Sequence, residues 1–203
     1  MKSIQLHLLL IIGILFTSCS QNTLPSELIQ DEQGYTELSE YIYSHYPELE
    51  DNIEVLEFSY SAGLVSSHKD LVESSISLDF VRGDDKDRIV NYRIDSNRLL
   101  TNNNVDISVG EAFNQKLSNS YETYKPFLFS SDLINLTNIN NAISKSTELF
   151  KEDANVQDAI CSMVRIEKKG EQPILSIRIE QNKFASSISR SYEWSVDGQN
   201  QIK

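Results

Sequence analysis

Ile139-Asn140-Asn141-Ala142-Ile143-Ser144-Lys145-Ser146-Thr147-Glu148-Leu149-Phe150 carries the clearest periodicity in the chain. Ile139, Ala142, Ile143, Ser146, Leu149 and Phe150 recur at i, i+3, i+4, i+7, i+10 and i+11, the stripe by which a helix buries one face. Three strands follow it. Ile160 to Ile166, Ile174 to Ile179 and Tyr192 to Val196 are short and apolar or aromatic, separated by Lys168-Lys169-Gly170-Glu171 and by a longer turn over Gln181 to Ser187. A helix followed by a meander of strands predicts an α+β fold, with helices packed on an antiparallel sheet.

Upstream the same order recurs. Tyr35, Leu38 and Ile42 predict a short helix that Pro47 stops after His45-Tyr46. Ile53 to Tyr60 reads as a strand with a bulge or register shift after Leu56, and Gly63 to Asp70 as a loop. Ile76-Ser77-Leu78-Asp79-Phe80 alternates cleanly, Gly83-Asp84-Asp85-Lys86-Asp87 turns, and Ile89 to Ile94 returns before Asp95-Ser96-Asn97. Tyr92 to Leu99 parallels Trp194 to Gln201 in the pattern large, polar, aliphatic, Asp, turn. Two tandem α-β-β-β units, roughly 34–100 and 138–203, are therefore expected. Two unrelated hairpins with generic binary patterning would read alike. Between them, Ser108-Val109-Gly110-Glu111 reads as a capping box, and Phe113, Leu117, Tyr121 and Tyr124 predict a connecting helix ended by Pro126. The expected organisation is a signal segment over 1–18, a tether over 19–33, a first unit over 34–108, the connecting helix over 109–130 and a second unit over 131–203.

The second unit resembles the PepSY-like family of exported bacterial domains, related in shape to beta-lactamase-inhibitor proteins. The helix with Ala142, the Asp153-Ala154-Asn155 step, Gln172-Pro173-Ile174 and the closing Tyr192-Glu193-Trp194-Ser195-Val196-Asp197-Gly198 carry the resemblance. Ser96 stands in the first unit where that turn has glycine. The resemblance implies a non-catalytic module that binds proteins through an open sheet face.

The chain opens with Lys2 and an apolar run from Leu6 to Phe16, interrupted by His7 and Gly13. That length suits a signal peptide and falls short of the roughly 20 residues of a membrane span. Leu15-Phe16-Thr17-Ser18-Cys19 closes the run, with small Ser18 before the cysteine. This resembles the type II signal peptides of bacterial lipoproteins, although Phe16 holds the place where that family most often has Leu. The resemblance implies diacylglycerol on Cys19, N-acylation such as palmitate, and a mature chain beginning there. Two or three acyl chains, at about 0.8 kcal/mol per buried methylene, hold a protein to a membrane durably. Ser20 rather than Asp follows Cys19, so an outer-membrane anchor in the cell envelope is expected.

The chain has 203 residues and a formal charge of −12. Such acidity argues against nucleic acid, whose affinity comes from Lys and Arg on phosphates, and against electrostatic binding to anionic lipid. With Cys19 taken by lipid, Cys161 has no intrachain partner and is expected to be a buried small hydrophobe. His45 and His68 lack metal-ligand spacing, and no serine sits in a Gly-x-Ser-x-Gly elbow. Asp84, Asp85 and Asp87 miss the calcium-loop pattern and read as a solvated hairpin tip. Arg82-Gly83-Asp84 spells an adhesion tripeptide that a turn also favours. Neither a catalytic residue, a metal site nor a cofactor is expected.

Tyrosine is the one enrichment, nine in all, with Tyr35, Tyr41, Tyr43 and Tyr46 on one short helix. Tyr41, Tyr43, Tyr192 and Trp194 form the candidate binding surface, since rigid aromatics anchor interfaces. The expected function is that of a lipid-anchored envelope module that binds a protein partner without catalysis. The alternatives are a hydrolase using His45 or His68, and a small-ligand or glycan binder with aromatic platforms.

Overall fold

The computed structural model describes residues 28–30, 32–50, 52–65, 68–105, 120–181 and 188–203. The helices are α1 (Glu32–His45), a single turn α2 (Tyr121–Tyr124) and α3 (Leu136–Ala154). The strands are β1 (Glu54–Val65), β2 (His68–Val81), β3 (Ile89–Asp95), β4 (Leu100–Val105), β5 (Phe129–Ser130), β6 (Ala159–Lys169), β7 (Gln172–Gln181) and β8 (Ser189–Ser195). Among the described residues these strands make one antiparallel sheet in the order β4-β3-β2-β1-β6-β7-β8, with β5 paired to the start of β1. The fold is α+β, an open sheet with helices on it.

Local chemistry sets the helix ends. Asn135 caps α3, its side chain accepting the Asn138 N–H at 3.0 Å, and Asn155 closes it in the left-handed region that asparagine tolerates. α1 stops at His45 because Pro47 cannot continue it. Leu38 and Ile42 of α1, with Ile139, Ala142, Ile143, Ser146 and Phe150 of α3, are buried against one face of the sheet. That face is filled by alternate strand residues, as the period of two requires.

Pairing at the centre is symmetric. Ser59 of β1 faces Arg165 of β6, Phe58 faces Ile166, and Tyr60 faces Val164. Outward from Phe58 lie Leu78 and Tyr92, and outward from Val164 lie Ile177 and Tyr192. Tyr60 leads likewise to Ile76 and Ile94, and Ile166 to Leu175 and Trp194. A pseudo-two-fold through the Ser59–Arg165 pair therefore matches Tyr92 with Tyr192, two residues away from the match the sequence pattern proposes. The period of two makes the shifted match look alike, since both put large residues on the same face.

Several expectations are corrected. Leu28 and Ile29, expected in the tether, are buried in the core, because one apolar pair suffices to pin a short 3-10 turn without sustained periodicity. The expected loop from Gly63 to Asp70 is occupied by strand on both sides, β1 reaching Val65 and β2 beginning at His68. Backbone pairing there continues without an apolar pattern. β4, Leu100-Thr101-Asn102-Asn103-Asn104-Val105, was hidden because an edge strand need bury almost nothing. Most of the connecting helix, including Ser108, Glu111, Phe113 and Leu117, lies outside the described residues, and within them only the turn Tyr121–Tyr124 is helical. Cys161 is half-buried rather than buried, packed against the edge of the core at an irregularity of β6 between Cys161 and Met163.

The irregularity at Leu56 has a structural consequence. Register shifts between Val55 and Glu57, so Val55 stays in the main core while Leu56 joins a second cluster with Val81, Ile89, Val105, Tyr121, Tyr124 and Leu128. Val81 and Ile89 face away from the helices, so this cluster covers one end of the opposite sheet face. The rest of that face carries no helix among the described residues.

Candidate functional site

The helix-free face is built from the polar half of each strand's alternation. One row crosses the sheet as Thr101, Arg93, Ser77, Ser59, Arg165, Ser176 and Glu193. The next row places Asp79, Glu57 and Glu167 on adjacent strands. Like charges opposite one another are costly unless compensated. Asn91 donates to Asp79, the Arg165 Nε lies 3.3 Å from Glu57 Oε1, and Lys169 Nζ reaches Glu193 at 2.8 Å and Glu167 at 3.6 Å. Hydroxyls pair as well, Ser59 with Ser77 at 2.8 Å and Ser61 with Ser75 at 3.1 Å.

Electrostatics divide the face. Partial burial raises the Glu57 carboxyl above the ordinary range, and Asp79 and Glu167 add to this against the opposing pull of Arg165. Burial raises Asp79 too, against the Asn91 hydrogen bond. Glu193 goes the other way, held low by its hydrogen bond from Lys169. Arg165 and Ser176 are cross-strand neighbours whose Nε and Oγ are shielded from solvent; Arg165 Nε is ion-paired with Glu57, while Ser176 Oγ has no hydrogen-bond partner among the described residues. A face of this kind offers shape and hydrogen bonds over a broad area. At the far end Ser61, Gly63, Glu73, Ser75, Arg93 and Asp95 edge a shallow cleft of about 410 Å³.

No protein-family model and no curated protein matches the chain. A similar solved structure is the crystal structure of a protein provisionally assigned as a lipoprotein, from Clostridium difficile 630. The two share 14% identity and a TM-score of 0.45, over 88% of this chain and 97% of that one. A TM-score of that size carries no argument about this chain.

The aromatic residues singled out in the sequence are not brought together. Trp194 and Tyr192 are 4% and 6% exposed, beneath α3, which corrects their assignment to a binding surface. Each occupies the inward half of β8's alternation, and the Trp194 indole N–H donates to Ser146 Oγ at 2.9 Å. Tyr41 and Tyr43 are half-buried on α1. Tyr41 stacks on His45 at 4.1 Å and meets Tyr92 at 5.8 Å. Burial raises the Tyr43 phenol, with Asp132 and Glu50 adding to the effect.

His45 is exposed at the end of α1, its Nδ1 2.9 Å from the Tyr41 carbonyl oxygen. His68 opens β2, and its side chain lies outside the described residues, as does Cys19. At the β2–β3 turn Arg82 holds Asp84 and Arg88 holds Asp85, while Asp87 Oδ1 accepts the Tyr121 N–H at 2.9 Å. Among the described residues no group of three or more His, Cys, Asp and Glu could hold a metal ion. No helix there is long and apolar enough to cross a membrane.

Sequence reasoning passed over Glu57, Asp79, Arg165 and Glu167. Their signal was the outward half of the strand alternation, used to find the core and then set aside.

Proposed function

We propose that this chain is a bacterial lipoprotein, held at the outer membrane by lipid on Cys19, whose helix-free sheet face binds an envelope protein without catalysis. The observation that carries the reading is that face. It is broad and polar, and its charges are largely compensated in place by cross-strand ion pairs and hydroxyl pairs. Standard protein interfaces bury roughly 800 Å² per partner, an area that seven neighbouring strands can offer and a narrow cleft cannot. The PepSY-like resemblance of the second unit supports the same use of an open sheet.

A membrane anchor complements such a face. A weak surface contact becomes effective when both partners are confined to one membrane, because tethering raises effective concentration. The test is a pull-down from gently solubilised envelopes, comparing the full-length chain with Cys19→Ala. A stoichiometric partner retained by the wild type and lost or mislocalised with Cys19→Ala supports the reading. A wild-type mass with no acyl groups beyond its polypeptide, or an identical membrane distribution of the two proteins, contradicts the anchor.

A further inference from the structure

On the helix side of the sheet, α1 ends at His45 and leaves the outer part of β3 and β4 uncovered by it. There Tyr46, Arg82, Val90, Tyr92, Asn102 and Asn104 edge a cleft of about 410 Å³. Asn102 and Asn104 are the β4 partners of Tyr92 and Val90, so the two carboxamides stand on the same side as the tyrosine. The volume falls within the roughly 300–1,000 Å³ of small-molecule sites.

Its chemistry is specific. The Tyr46 and Tyr92 rings lie 6.3 Å apart and their hydroxyls meet at 3.5 Å. Asn102 hydrogen-bonds the Tyr92 phenol. Each carboxamide offers two donors and an acceptor with two lone pairs, a set that matches neighbouring hydroxyls of a sugar ring; the Tyr92 ring is buried and supports the floor, while the half-buried Tyr46 edges the cleft. Arg82 adds a further donor, but its Nε and Nη2 are bound to Asp84 at 2.5 and 2.8 Å. The guanidinium charge is therefore compensated within the site. With the whole chain at −12, the field disfavours an anionic ligand. We propose that this cleft is a binding site for a neutral saccharide, distinct from the open sheet face.

The two halves of the molecule sharpen the assignment. The residue matched to Tyr92 by the pseudo-two-fold is Tyr192, and the outer edge of β8 meets 200–203 through the Trp194–Gln201 bridge and backbone hydrogen bonds at Glu193 and Ser195, where β3 meets the strand β4. Asn102 and Asn104, in register with Tyr92 and Val90, place their amides beside that tyrosine in the first half.

The test uses the ¹⁵N-labelled full-length chain in detergent micelles, titrated with an N-acetylglucosamine tetramer, cellotetraose and tetragalacturonate. A neutral tetramer should move the side-chain amide signals of Asn102 and Asn104. Asn104→Ala, at an exposed position, should weaken that binding about tenfold, while Asn141→Ala on the exposed side of α3 should not change it. The proposal is overturned if neither neutral tetramer moves the two amides, if only tetragalacturonate does, or if Asn104→Ala binds as tightly as wild type.

Discussion

Tyr92 and Tyr192 hold matched places in the two halves of one sheet, yet their surroundings differ. The Tyr92 phenol meets Tyr46 and Asn102, and burial pushes it up to about 12. The Tyr192 phenol is buried with no hydrogen-bond partner among the described residues. The turns that follow diverge in the same sense. Arg98 and Gly198 both adopt left-handed backbone, at φ 59° and 67°. Arg98 reaches out to pair with Glu37 of α1, whereas a Cβ on Gly198 would come within 2.6 Å of the Asn138 carbonyl oxygen of α3. The longer helix is seated directly on its half of the sheet. The shorter one ends at His45, and the cleft lies beyond it on the outer part of β3 and β4.

Trp194 and Ile94 also correspond, and here the largest contrast is expected. Trp194→Ala should cost about 3–5 kcal/mol, because a cavity opens under α3 and Ser146 loses the indole N–H. Ile94→Ala should cost less, within the roughly 2–5 kcal/mol of aliphatic truncations. Urea unfolding of both variants measures the difference, and a larger loss at Ile94 would break the idea that α3 is the more tightly seated helix.

Next come the turns. Gly198→Ala should destabilise by at least about 1–2 kcal/mol, the cost of left-handed backbone for a residue with a Cβ, with the Asn138 contact added. Arg98→Gly should cost less than Gly198→Ala, since relief of left-handed backbone strain, about 1–2 kcal/mol, offsets much of the loss of its partly buried ion pair with Glu37. Thermal melts of the two variants give the comparison directly.

Smaller effects belong to the tyrosines themselves. Tyr92→Phe should lose about 1 kcal/mol with its hydrogen bonds. Tyr192→Phe should be neutral or stabilising, because the hydroxyl it removes is buried without a partner. Equal losses at both positions in chemical denaturation would show that Tyr192 is satisfied in solution.

The finest contrast is in pH dependence. Glu57 and Asp79 are raised mainly by burial, so the folded chain holds these protons more tightly than the unfolded one. The stability they confer is full below the ordinary carboxylate range and is lost as pH rises through the raised values. Glu193 is lowered by Lys169, so its contribution is present above the ordinary range and is lost as pH falls through the lowered value. Glu57→Gln should therefore flatten the loss of stability with rising pH, and Lys169→Met should flatten the loss with falling pH, in urea midpoints followed across the acid range.

The core was legible in the sequence where periodicity was strong. Ile139 to Phe150, Ile76 to Phe80 and the three strands of the second unit lie where their patterns place them, and the irregularity at Leu56 shows as a break in alternation. Segments that bury little were not legible. β4 is an asparagine-rich edge, and Leu28-Ile29 is too short to show a period. The aromatic residues misled for a related reason, since Trp194 and Tyr192 are as suited to a core under a helix as to an interface. The cleft at Tyr46, Arg82, Tyr92, Asn102 and Asn104 joins segments far apart in sequence, and only the fold brings them together.

Protein binding through the helix-free face is most directly tested by site-specific photo-crosslinking in intact cells, with the photoreactive residue in place of Ser77 on that face or of Asn141 on α3. A discrete protein adduct from position 77 and none from position 141 is the predicted result. Adducts from position 141 with none from position 77 would contradict it and assign recognition to the helices.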